Sequence, residues 1–165
     1  GAAALVVMSY QGFAMGHSSA IALWSSAMMP FSSLLYALTS GVILTLLLQA
    51  GSLAPESVDQ LVAMAFGLLL TDLIMLFSLL HAAYHGSPGS RLSAELLFKT
   101  LYAKWFHGVV VGAGIFLPLV ALWLGDETLT ARSIAAVGML AGFFSFRVLI
   151  FKAGVYDPVM PTTSA

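Results

Sequence analysis

Residues 57–84 read SVDQLVAMAFGLLLTDLIMLFSLLHAAY. Charge within this stretch is confined to Asp59 at its start and Asp72 near its middle. Leu61, Val62, Met64, Phe66, Leu68 to Leu70, Leu73 to Phe77, Leu79 and Leu80 spread apolar surface over every helical face. A helix apolar all round belongs in a protein core or in lipid. About 20 residues at roughly 1.5 Å each cross the hydrocarbon layer, so the stretch reads as a transmembrane helix, with Ser57 as its N-cap. A carboxyl at that depth costs several kcal/mol unless it is protonated or paired, which marks Asp72 as a candidate functional residue.

The rest of the chain reads the same way. Of 165 residues 60% are hydrophobic and 8% charged, with mean hydropathy +0.99, against about 25% charged in soluble domains. Six basic against seven acidic residues give no basic surface for nucleic acid. There are no cysteines, so a thiolate-ligated iron-sulfur or zinc site has to sit on another chain. The expected fold is an all-α, polytopic transmembrane helix bundle forming a single membrane domain over 1–165. Spans are predicted at about 1–15, 31–50, 57–84, 104–124 and 130–152, with an interfacial helix over 94–103 capped by Ser93. Gly1 to Met8 are apolar with no basic n-region, so they read as the middle of a helix, and a fragment of a longer chain is the expectation. Gly108 and Gly112, and again Gly138 and Gly142, form GxxxG patterns that allow close helix approach. Pro118 falls inside the fourth span.

Alternating spans put the loops on two sides. Side one collects Arg91, Lys99, Lys104, Arg147 and Lys152 against Glu95 and Asp157, 5 − 2 = +3; side two holds Arg132 against Glu56, Asp59, Asp126 and Glu127, 1 − 4 = −3. The positive-inside rule assigns side one to the cytoplasm. Tyr10 and all four histidines fall on or near side one.

Three sets of residues carry possible chemistry. Asp72 is either a proton relay or a structural acid, paired with Arg147 or hydrogen-bonded to a serine, since an arginine arm on the fifth span can reach it. His81 and His85 share a helix face and offer metal or haem ligation on one reading and interfacial hydrogen bonding on the other. His81 lies nine residues from Asp72, half a turn off its face. Tyr10 is either a hydrogen-bond donor to a quinone carbonyl or a residue of the aromatic belt, where Trp24, Trp105 and Trp123 also belong.

Tyr10-x-Gly12, then Leu23-Trp24-Ser25-Ser26-Ala27-Met28-Met29-Pro30, resemble the Y-x-G and P-L-W-N-S-x-x-L-P signatures of the polysulfide reductase membrane-subunit family (NrfD/PsrC-like). Trp105-Phe106-His107-Gly108-Val109-Val110-Val111-Gly112 with Leu117-Pro118-Leu119 is similar to that family's F-W-x-G-V-V-x-x-G and L-P-L helix. Arg147-Val148-Leu149-Ile150-Phe151-Lys152-Ala153-Gly154 is similar to its closing R-y-x-I-x-x-A-G. The resemblance implies the last five helices of an eight-helix fold in a bacterial inner membrane. It also implies a membrane anchor of a respiratory oxidoreductase complex, exchanging electrons between menaquinone or ubiquinone and an iron-sulfur partner. That partner would in turn bind a molybdopterin or cytochrome subunit, with no haem expected in this chain. Tyr10 inherits the quinone-binding role, with His17 and Trp24 beside it, and Asp72, Arg147 and His81 form the candidate proton path. Relatives mostly dock their partner on the periplasmic face at the Tyr side, opposite to the positive-inside assignment. Other readings are a haem b membrane subunit and a non-redox transporter or structural anchor.

Overall fold

The computed structural model describes Tyr10 and residues 28–49, 51–52, 54–100, 102–125 and 128–155. Among them the chain is helical with no strand, in five helices: α1 Met28–Leu48, α2 Pro55–Tyr84, α3 Pro88–Lys99, α4 Ala103–Gly125 and α5 Leu129–Ala153. All but α3 are long and apolar enough to cross a membrane, so the all-α polytopic bundle read from the sequence is the fold observed. The span expected over 1–15 lies outside the described residues.

In α1, Met29, Ser32 and Ser33, Leu35 and Tyr36, Thr39, Ile43 and Leu46 recur at three- and four-residue steps and are buried, forming one inward stripe. The 21 residues of α1 extend roughly 30 Å, the thickness of the hydrocarbon core. Gly51 takes φ +105° in the turn that follows, a conformation open to glycine at little cost, and α2 then begins at Pro55. Its N-cap is Ala54 rather than Ser57, and Pro55 occupies the first turn, where a missing N–H costs nothing.

The same device displaces the interfacial helix. It runs Pro88–Lys99 instead of 94–103, because Pro88 starts it and Ser87 Oγ accepts from Ser90 N at 3.2 Å. Ser93, expected to cap it, is instead buried in its middle. α3 is stapled across the ends of two spans. Ser90 Oγ donates to the Ala83 carbonyl near the end of α2 at 2.9 Å, and Ser93 Oγ accepts from Val155 N just beyond α5 at 3.2 Å.

α1 packs against both α2 and α5, and α4 packs along α5. The α4–α5 seam is made by glycine. A Cβ at Gly114 would lie 2.8 Å from Gly142 Cα, and one at Gly142 would run into Gly114, so neither position accepts a side chain. Gly138 meets the Ala113 carbonyl in the same way. Of the two GxxxG patterns, Gly138/Gly142 therefore makes the seam. At Gly108 a Cβ would meet nothing, and at Gly112 only the helix's own His107 carbonyl. α4 also departs from α-helical geometry: Phe106–Phe116 is wound as a π-helix, ending where Leu117 N–H reaches the Gly112 carbonyl just before Pro118. Pro118 has no N–H to continue a regular ladder.

Candidate functional site

Asp72 is 0% exposed. On α2 it falls in the buried stripe of Val62, Ala65, Leu69, Leu76 and Leu79, so it faces the bundle and not lipid. Its Oδ2 lies 2.6 Å from Thr39 Oγ1 on α1. Arg147 on α5 is half-buried and donates from Nη2 to Ser33 Oγ, also on α1, at 2.7 Å. Its guanidinium also sits 5.1 Å from the centre of the Phe143 ring.

The two charged side chains therefore do not form the ion pair that their depths suggested: each has its own hydroxyl partner, six residues apart along α1. Tyr36 sits midway between those partners. Its ring is 2% exposed and packs against Phe143 and Phe146, each at 5.3 Å between ring centres. This cluster joins three spans through α1, the span over 31–50 in which the sequence analysis names no candidate residue. The signal was present in Ser32, Ser33, Tyr36, Thr39 and Ser40, polar residues at helical spacing inside an otherwise apolar run.

His81 does not join this group. It is exposed on the other face of α2, where its ring lies 4.3 Å from that of His85. Phe77, His81, Tyr84, His85, Glu95 and Lys99 line a cavity of about 410 Å³ between α2 and α3 at side one. Arg91 borders it, donating to Tyr84 Oη and Glu95 Oε1, each at 3.4 Å. His107, the third described histidine, packs edge-on against Phe98 and Phe106 and bonds through Nδ1 to the Ala103 carbonyl at 2.8 Å. Tyr10 is helical and 70% exposed. His17 and Trp24 lie outside the described residues.

Residues 2–157 match the family model described as polysulphide reductase, NrfD. The chain belongs to the NrfD family. Members of that family are membrane subunits of quinone-linked oxidoreductase complexes, and the four long apolar helices make this chain a multi-pass membrane protein. NrfD subunits generally partner with iron-sulfur subunits. No curated protein and no solved structure matches the chain.

Proposed function

We propose that this NrfD chain is the quinone-reactive membrane anchor of a respiratory oxidoreductase complex in a bacterial inner membrane. It exchanges electrons between menaquinone or ubiquinone and an iron-sulfur partner, which connects to a molybdopterin or cytochrome subunit. The observation that carries the reading is the family match across 2–157, joined here to an acid buried inside the spans. Absence of cysteine puts the iron-sulfur relay on the partner.

Quinol oxidation supplies electrons and protons together. Tyr10, with His17 and Trp24, is the proposed quinone end: an exposed phenol can donate to a carbonyl while its ring covers apolar surface. Asp72 is the proposed mid-membrane proton carrier. Arg147 contributes positive charge on the way to side one, and His81, beside the 410 Å³ cavity, stands at the mouth.

The test is purification of the assembled complex in native lipid. An iron-sulfur subunit copurifies, and Tyr10→Phe lowers quinol-dependent reduction of that subunit tenfold or more without loss of assembly. Reduction that is indifferent both to Tyr10→Phe and to quinone analogues overturns the reading.

A further inference from the structure

Hydrogen-bond accounting separates Asp72 from Arg147. Ser33 is balanced: its hydroxyl donates to the Met29 carbonyl at 3.0 Å and accepts from Arg147 at 2.7 Å. Thr39 is not balanced. Its single hydroxyl proton faces two acceptors, the Leu35 carbonyl at 3.0 Å and Asp72 Oδ2 at 2.6 Å. One O–H cannot serve both well. The conflict disappears if the carboxyl itself carries a proton, donates it to Thr39 Oγ1 and leaves Thr39 to donate to Leu35.

Three further atoms are buried and unpartnered among the described residues: Asp72 Oδ1, Tyr36 Oη and Ser40 Oγ. On α1, Tyr36 lies three residues before Thr39 and Ser40 one after it, so both flank the hydroxyl that Asp72 contacts. Buried polar atoms in native proteins are almost always partnered, and three is the usual number of partners of a buried water.

We propose that Asp72, Thr39, Tyr36 and Ser40 form a proton-holding cluster bridged by one ordered water, with Tyr36 as the residue through which the proton enters or leaves. The proposal rests on the proton-path part of the functional reading and adds to it three residues on α1. In each transfer the carboxyl O–H breaks as its proton passes to the bridging water. The water gives one of its own protons to the Tyr36 hydroxyl oxygen as the Tyr36 O–H breaks and its proton passes to a second water, so that Tyr36 stays neutral throughout. Asp72 stays a carboxylate until a proton arriving by the reverse exchange reloads it. Two charged groups face α1 from α5: Arg132, which donates to the Leu46 carbonyl at the C-terminal end of α1 at 3.3 Å, and Arg147, whose bond to Ser33 and contact with the Phe143 ring hold it as a positioning residue, supplying charge but no proton.

The experiment uses the whole complex in sealed vesicles, with three readouts: infrared difference spectra of the carboxylic-acid C=O stretch, proton movement, and quinol-dependent electron transfer. The expected result is an acid band that disappears in Asp72→Asn and moves to higher frequency in Thr39→Val, which keeps the shape but removes the hydroxyl. Tyr36→Phe, which retains the ring contacts with Phe143 and Phe146, slows proton movement tenfold or more. Ser40→Ala slows it to a lesser degree. An acid band unchanged by Thr39→Val, or proton movement unchanged in Tyr36→Phe, overturns the cluster. Quinol-dependent electron transfer that continues in either case shows that the quinone reading survives that failure. Should electron transfer be absent from the unmodified complex, the quinone reading falls and the Thr39→Val band still decides the cluster.

Discussion

Arg147 reaches across the bundle to donate 2.7 Å to Ser33 Oγ, with its guanidinium resting near the Phe143 ring. A guanidinium in a low-dielectric interior depends on such partners, because its desolvation is large and a donor left without an acceptor costs about 1–3 kcal/mol or more. Ser33→Ala is therefore expected to destabilise the folded protein by about 1–3 kcal/mol. Arg147→Met, which removes the donor as well as the charge, is expected to cost no more than Ser33→Ala. In the double variant the Ser33 change adds little, and thermal unfolding of the four combinations in detergent gives the coupling. Additive losses would show that the bond contributes nothing. The sequence put Asp72 and Arg147 at compatible depths, but depth along a helix does not say which face a side chain presents in a segment that is apolar all round. Only the packing of α1 between α2 and α5 reveals that a hydroxyl stands in front of each charge.

The α4–α5 seam poses the same problem at the scale of an element. Two GxxxG patterns are equivalent as text, yet Gly138/Gly142 is used and Gly108/Gly112 is not, and Gly114, which belongs to neither, completes the contact. The reason lies in the winding of α4. The pattern rule assumes 3.6 residues per turn, whereas Phe106–Phe116 is π-wound and rotates the positions that face α5. Gly142→Val is expected to force the two backbones apart and to prevent assembly or lower the melting temperature by at least several degrees. Gly41→Ala and Gly108→Ala, where a Cβ meets nothing within 4 Å, are expected to leave stability within about 0.5 kcal/mol of the parent. Size-exclusion profiles and thermal scans of the three variants compare them directly. Equal loss in all three would mean that flexibility of glycine, not its size, matters here. Helix starts show a parallel limit of the text: Ser57 and Ser93 satisfy cap statistics, but Pro55 and Pro88 lie upstream, and a proline in the first turn fixes where each helix begins.

Across the whole molecule the described charges keep the asymmetry read from the sequence once their placement is taken into account. Arg147 is within the bundle. Arg132 is 6% exposed and donates to the Leu46 carbonyl at 3.3 Å, so it serves the C-terminal end of α1, where a cation is favoured, more than it charges a loop. What remains is Arg91, Lys99, Lys104 and Lys152 against Glu95 on side one, 4 − 1 = +3, and Glu56 and Asp59 on side two, −2. Only α2 crosses between Ser52 and Thr100, since the 12 residues of α3 span roughly 18 Å, too little for the hydrocarbon core. The cysteine-free chain allows a clean test with single reporters at these two exposed positions. In intact cells Ser52→Cys is expected to react with a membrane-impermeant maleimide and Thr100→Cys only after permeabilisation, as the positive-inside rule requires. The reversed pattern would place side one outside and make its basic residues a docking surface for an acidic iron-sulfur partner, because retention of basic residues on that side would then need attraction to a protein rather than to the cytoplasmic leaflet. Labelling of both reporters from the same side would remove α2 as a span, and with it the intramembrane position of Asp72 on which the proton path depends.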